Sequence, residues 1–393
     1  MRFITSLRLD GVLSFQPGSE AIDLKSLNLL IGPNGSGKSN LIEAVELLHA
    51  TPTAFAAAIR DGGGAQEWLW KGSNGNGAAT IEALLDGRPP IPGLRYRLSF
   101  TASGQRTEVS DEAIENIAKN RPNAPDVFFY YRYQRGNPVI NVRDTAGARS
   151  ERHLERTSLA PDESVLSQRK DPDLYPELTW VGQQFGRIQT FREWSFGRYA
   201  ALRQPQPADA QLEPLLPDSR NLGLILNELE HSDAGPEFNR LLRRFLPRYQ
   251  RLSTRILGGT VQFYLHEDGL RAPVPATRLS DGTIRFLALL ALLLSPSPPS
   301  LICIEEPELG LHPDALALLG DLMVSASART QLIVTTHSDV LVSALTEQAD
   351  SVLVCEYRGG TVLHRVESAK LQHWLDKYRL GEIWRIGELG GNP

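Results

Sequence analysis

The chain has 393 residues, a hydrophobic fraction of 41% and a formal net charge of −5. It is long enough for two or three average domains or one large one with insertions, and its apolar content suits a globular protein with a sizeable core. The negative balance argues against a generally cationic nucleic-acid coat, while leaving local basic patches open. Cys303 and Cys355 each stand in an apolar run, so they read as buried thiols of a reducing compartment and make no zinc pattern. The first ten residues are interrupted by charges and lack a signal-peptide core. The longest apolar run, Phe286 to Leu294, is too short to span a bilayer, and a cytoplasmic location is expected.

Taken in order, residues 2–31 suggest strands at Ile4 to Leu9 and Gly11 to Phe15, followed by a short buried strand from Leu27 to Ile31. Gly32 to Ser39 then fit G-x-x-x-x-G-K-S, and Leu41, Ile42, Val45 and Leu48 recur at helical spacing. Strand, glycine-rich loop and helix in that order are the context of a phosphate-cradling P-loop. Gly32, Gly35 and Gly37 let backbone N–H groups turn inward at the positive end of a helix, Lys38 can reach the β- and γ-phosphates, and the Ser39 hydroxyl can ligate Mg²⁺. The site is read as one for a nucleoside triphosphate. A second, alanine-rich helix is predicted from Thr51 to Arg60.

Residues 67–142 read as an antiparallel meander, with strands at Ala79 to Leu84, Tyr96 to Ala102, Val127 to Tyr133 and Val139 to Val142, and a turn at Gly136-Asn137. Residues 143–220 are polar and predict short helices and irregular structure. Helices are expected over Asn221 to Leu229 and Glu237 to Phe245. Val261, Phe263 and Leu265 alternate into a hairpin signal with Asp268-Gly269 at its tip. From Leu279 onward helices and strands alternate: a helix through Leu294, a strand from Leu301 to Ile304, a helix from Pro313, a strand from Gln331 to Thr335, a helix from Val340 to Leu345 and a strand from Ser351 to Glu356. No heptad pattern occurs, which excludes a long coiled coil.

A P-loop needs an acidic partner for Mg²⁺ and a group that directs water at the γ-phosphate. The strand Leu301 to Ile304 runs into Glu305 and Glu306, where Glu305 could join the metal shell and Glu306 could polarise water; solvating acids at a strand end would look the same. His337 ends a second strand, a place where histidine is either structural or catalytic. Leu279 to Thr283 opens a helix with a hydroxyl and a glycine amide, fit either to bind an anion or simply to cap the helix.

Together, Gly-Pro-Asn-Gly-Ser-Gly-Lys-Ser at 32–39, Leu-Ser-Asp-Gly-Thr at 279–283, Leu-Ile-Cys-Ile-Glu-Glu-Pro-Glu at 301–308 and Thr-Thr-His-Ser at 335–338 resemble the ATP-binding-cassette (ABC) ATPases. Within them the set is similar to the RecF, SMC and OLD branch, specifically stand-alone AAA-family ATPases with an E-E-P-E-x-x-L-H-P element, here Glu305 to Pro313. The resemblance implies an α/β P-loop NTPase of the ABC-ATPase head type: a mostly parallel sheet, an antiparallel β subdomain and an inserted helical subdomain. Residues 1–393 would form one head. Its parts would be a P-loop core with the meander at 1–165, a helical and irregular subdomain with a basic stretch at 166–275, and the signature, Walker B, D-loop and His-switch core at 276–393.

The resemblance further implies that two copies sandwich ATP. Gly32, Asn34, Gly35, Ser36, Gly37, Lys38, Ser39 and Asn40 would bind the nucleotide in one head, and Ser280 and Gly282 would reach its γ-phosphate from the other. Glu306 would be the catalytic base and His337 the switch. Mg²⁺ would be held by Ser39 and Glu305, with Gln168 taken as the Q-loop residue. Many relatives carry Asp where this chain has Glu305, and slow turnover without a partner or DNA is expected.

Arg240, Arg243, Arg244, Arg248, Arg251 and Arg255 lie in a stretch without acids, readable either as a phosphate-binding patch or as a solvated face. The leading expectation is a homodimeric RecF/OLD-like ATPase, gating DNA or a separate nuclease chain in DNA repair or phage defence, with no membrane partner. The alternative is the nucleotide-binding subunit of an ABC transporter. Ser39-Asn40 and Leu279-Ser-Asp-Gly-Thr283 fit it less well than the Lys-Ser/Thr-Thr and L-S-G-G-Q patterns of such subunits.

Overall fold

The computed structural model describes residues 2–72, 77–104, 106–119, 126–134, 136–192 and 194–391. Its centre is a six-stranded sheet. Five strands run parallel in the spatial order Ile188–Phe191, Leu301–Glu305, Gln331–Thr335, Leu27–Ile31 and Val352–Tyr357, and Thr361–Arg365 closes the edge antiparallel. These strands read as unbroken apolar runs because both faces of the sheet are covered. Leu29, Ile31, Ile302, Ile304, Leu332, Val334, Val352 and Val354 point into one apolar cluster. Leu30, Leu301, Cys303, Ile333 and Leu353 point into the other.

The first cluster holds the helix Asp281–Leu294, whose every residue from Phe286 onward is buried. A helix apolar on all sides belongs inside a core, and each such Leu or Phe removed from water contributes about 1.5–3 kcal/mol. Helix Pro313–Ser327 packs beside it. Against the second cluster lie helix Lys38–Ala50, helix Pro176–Gly186 and an eight-stranded antiparallel sheet in the order Ile22–Asp23, Ile4–Asp10, Ala79–Leu85, Leu94–Ser103, Arg106–Asn116, Phe129–Gln134, Asn137–Arg143 and Arg149–His153. Gln331 joins the two sheets. Its side-chain oxygen accepts from the Phe3 and Ile4 amides at 3.1 and 2.8 Å, and its nitrogen donates to the Ile4 and Lys25 carbonyls.

Several local expectations shift. The segment 143–220 contains more than short helices. Pro176–Gly186 leads directly into the strand Ile188–Phe191, whose four residues are too few to carry a period but which extends the parallel sheet. The span 166–275 also holds a small sheet in which Tyr249–Leu257 pairs with Thr260–Glu267, turning at Gly258-Gly259 rather than at Asp268-Gly269. Asp268-Gly269 instead starts the return to Val274–Pro275. Asn137 opens a strand rather than occupying the turn. Both cysteines are free and buried. Among the described residues no helix is long and apolar enough to cross a membrane.

One buried carboxylate sets a pH dependence. Glu112 accepts from Tyr96 Oη at 2.9 Å, from Ser164 Oγ and from the Val165 amide at 2.8 Å, yet burial pushes its pKa up to about 7. A raised carboxyl pKa means that the folded state holds its proton longer than the unfolded chain. Its contribution is therefore intact below pH 4.5 and is lost as pH rises to about 7. Glu112→Gln keeps the shape without the charge. Across that window urea unfolding should show the variant gaining on the native chain, by on the order of 3 kcal/mol at pH 8; parallel pH profiles would contradict the assignment.

Candidate nucleotide site

The carboxyl ends of the parallel strands converge on one edge of the central sheet, where open α/β sheets place ligands. Leu27–Ile31 runs into the glycine-rich loop. Gly32, Gly35 and Gly37 have φ of 144°, 76° and 103°, and side chains are also excluded by contact: a Cβ at Gly32 would strike the Cys355 carbonyl oxygen, and one at Gly37 the Thr361 hydroxyl. Helix Lys38–Ala50 begins after Gly37 with no side-chain cap. Its first N–H groups therefore remain available to an anion rather than to a capping oxygen. Asn34, Gly35 and Ser39 are exposed, whereas Ser36 is buried with its hydroxyl unpartnered.

Lys38 is buried and donates from Nζ to the Gly32 and Pro33 carbonyls at 2.7 and 3.0 Å. Burial lowers its pKa, against the opposing pull of Cys355, Glu306, Glu305 and Glu308. The ammonium thus lies folded over the loop, within the field of the three carboxylates. The Asn40 side-chain amide donates to Ser14 Oγ at 2.7 Å. Thr361 Oγ1 also donates to Ser14 Oγ and reaches the Ser36 carbonyl at 2.9 Å. Asn40 is thereby part of a polar brace supporting the loop.

Glu305 ends its strand with one oxygen buried and unpartnered. The other accepts from Arg192 Nε at 3.2 Å, and Arg192 Nη1 also pairs with Glu46 at 3.0 Å. Burial works against the Arg192 charge, but Glu305 and Glu46 outweigh it and its pKa is raised. Arg192 follows the edge strand Ile188–Phe191, so it was invisible until that strand was placed. Gln168 is not in this cluster. In helix Val165–Gln168 its amide is consumed locally, accepting from the Ala160 amide at 2.7 Å and donating to the Ala160, Glu163 and Ser164 carbonyls. These bonds hold it within its own turn, and among the described residues none joins it to Glu305 or the phosphate loop, so the structure does not bring it to the expected metal site.

Glu306 adopts φ 44°, an outlier for a residue with a side chain. Its amide donates to Thr335 O at 3.1 Å, and its side chain stands 3.7 Å from His337 Nε2. Glu308, given no role from sequence, accepts from Thr336 Oγ1 at 2.7 Å and from the His337 amide at 2.8 Å. It fixes the backbone from which His337 projects.

The segment 279–283 lies at the start of helix Asp281–Leu294. Ser280 is exposed and caps the helix, its Oγ accepting from the Thr283 amide at 3.1 Å. Arg203, buried, donates to the Leu279 carbonyl at 2.6 Å, the Ala276 carbonyl at 3.2 Å and the Phe196 carbonyl at 2.7 Å, and pairs with Asp281. A Cβ on Gly282 would come within 2.6 Å of the Gly310 carbonyl. Among the described residues no hydrogen bond or ion pair joins Ser280 or Gly282 to the phosphate loop.

The basic stretch is divided between helix Gly235–Phe245 and strand Tyr249–Leu257. Arg240 pairs with Glu237, Arg244 approaches Asp321 at 4.0 Å and Arg248 pairs with Glu267. Arg255 lies over the Tyr264 ring. Acids thus face three of the six charges, Arg240, Arg244 and Arg248.

A family model described as "AAA domain, putative AbiEii toxin, Type IV TA system" matches residues 27–343. Among solved structures, an Smc head bound to the C-winged helix domain of ScpA is similar with a TM-score of 0.56 at 15% identity, over 94% of this chain and 99% of that one. The Smc head with an extended coiled coil bound to the C-terminal domain of ScpA, from Pyrococcus furiosus, gives 0.55 at 14%, over 96% and 99%. The Smc head with a coiled coil and joint from Pyrococcus yayanosii gives 0.50 at 12%, over 96% and 99%. At these identities the likeness is one of fold. Among curated proteins, none matches the chain.

Arg192 is the only hydrogen-bonding partner of the Glu305 side chain among the described residues. Arg192→Met would leave Glu46 and Glu305 without their shared counter-charge, at a cost of about 1–2 kcal/mol. Millimolar Mg²⁺ without nucleotide should restore part of that loss in the variant and leave the native chain unchanged. Urea unfolding with and without Mg²⁺ reads both terms; equal stability of the two chains would refute the assignment.

Proposed function

The chain belongs to this AAA-domain family and has the ABC-type fold of an SMC head, and from that premise we propose that two copies bind and hydrolyse ATP between them. One observation carries the proposal: Ser280 is exposed at a helix start, while Lys38 is held over its own loop by the Gly32 and Pro33 carbonyls, with no bond among the described residues to Ser280 or Gly282 of the same chain. A half-site of each kind on every copy is completed by a second copy placed head to head. The phosphate loop, with Lys38, takes the triphosphate of one head, and Ser280 and Gly282 of the other head cover its γ-phosphate.

Ser39 and Glu305 would hold Mg²⁺, which when bound offsets charge on the phosphate oxygens. The chemistry of the donor set fits, since a hydroxyl and a carboxylate oxygen free of hydrogen bonds are both hard ligands. Glu306 accepts the proton of the attacking water, and His337, braced by Glu308, contacts the γ-phosphate. The longer arm of Glu305 and its hold on Arg192 make turnover slow in the absence of a partner.

The output of the switch is gating of DNA or of a separate nuclease chain, as in RecF- and OLD-like ATPases of repair or phage defence. The Smc heads of similar fold are recorded with ScpA domains bound, which supports a protein partner. The partly neutralised arginine stretch gives DNA a lesser share of the contact.

Lys38→Ala should weaken ATP binding roughly 10- to 100-fold, the loss of a charge-assisted contact. Glu306→Gln should bind ATP, hydrolyse it very slowly and accumulate as a dimer in Mg-ATP, read by size exclusion with light scattering. Glu306→Gln that binds ATP yet stays monomeric, with or without added duplex and single-stranded DNA, would reject the paired-head mechanism.

A further inference from the structure

The strained backbone at Glu306 is held from two sides. On one side its amide donates to Thr335 O at 3.1 Å and lies 3.3 Å from Thr335 Oγ1. On the other its carbonyl accepts from the Leu309 amide at 3.2 Å and from Arg285 Nη1 at 3.2 Å. Arg285 projects from helix Asp281–Leu294, one turn beyond Ser280. Its guanidinium lies 4.7 Å from the centre of the Phe196 ring, and the Phe196 carbonyl is fixed in turn by Arg203, which also holds Leu279 and Asp281. Gly282 meets the Gly310 carbonyl closely enough to exclude a side chain. The start of the helix, the 306–310 turn and the Phe196 segment are therefore one mechanical unit, and Arg285 is its hydrogen bond to the backbone of Glu306.

We propose that Arg285 is a positioning residue for ATP hydrolysis, transmitting engagement of Ser280 by the second copy's nucleotide to the orientation of the Glu306 carboxylate in its own chain. This rests on the paired-head reading above. A helix start pressed by a phosphate moves as a body with Arg285, and a carbonyl drawn by that guanidinium rotates the peptide that follows Glu306. A residue at φ 44° has little room to absorb such a rotation except by re-aiming its side chain. An error of about 1 Å in a catalytic group costs roughly 100-fold in rate. Lysine can make one of the bonds of arginine but lacks its planar stack on Phe196.

The test uses Arg285→Met and Arg285→Lys in the full chain, alone and combined with Glu306→Gln. Arg285→Met should bind ATP within about twofold of the native chain while turnover falls roughly 10- to 100-fold, with Arg285→Lys recovering part of it. In the Glu306→Gln background, which needs no turnover, Mg-ATP should dimerise the protein with or without Arg285→Met. Hydrogen exchange should then show ATP-dependent protection of residues 305–311 only when Arg285 is present, with protection of the 32–39 loop in both. Unchanged 305–311 protection, or turnover within twofold of native, overturns the proposal. Loss of ATP affinity or of dimerisation in Arg285→Met also overturns it, since the arginine would then serve binding rather than orientation. Failure of Glu306→Gln itself to dimerise rejects the paired-head reading, and size exclusion separates that result from the others.

Discussion

The parallel pairing of Leu27–Ile31 with Gln331–Thr335 is the constraint from which the site follows. Its register sets Leu332 against Leu27 and Thr335 against Leu30, so the phosphate loop and the Thr335 to His337 turn emerge side by side. Leu301–Glu305 pairs on the far side of Gln331–Thr335, with Glu305 opposite Thr335. Two strand pairings thereby bring together residues from opposite ends of the chain. Long crossovers make such pairings costly to close, and the buried Gln331, bonded to the first strand and to Lys25, helps to offset that cost.

Charge balance in this cluster is local. Lys38 faces three carboxylates, and its ammonium is held by backbone carbonyls rather than by any of them. Glu305 is held by Arg192, Glu308 by the Thr336–His337 turn, and Glu306 mainly through its backbone. The carboxylates are thus oriented by different elements.

What was legible in the sequence follows from how local each signal is. The phosphate loop declares itself because strand, glycines and helix are contiguous, and each glycine answers a need of φ or contact at that place. The strands Leu301–Glu305 and Gln331–Thr335 declare themselves because burial on both faces writes an unbroken apolar run. Ile188–Phe191 offers only four residues with two polar ones among them, and its membership in the sheet depends on pairing with a strand more than a hundred residues away. Arg192 is hidden with it. Asn40 illustrates a different limit: the motif marks it beside the phosphates, but only the fold shows Ser14 waiting for its side-chain amide. The acids that face part of the arginine stretch, Glu267 and Asp321, come from other elements and are not visible beside it in the sequence.

The pinning of the Leu279–Asp281 turn by Arg203 has a thermodynamic corollary. A loop that must freeze when it is covered loses on the order of 1 kcal/mol per residue in conformational entropy. This turn is already immobilised by a buried guanidinium with several carbonyl acceptors, so covering it incurs little of that cost. In the proposed pairing of heads, association through this surface would be governed by shape fit and by stripping water from polar groups.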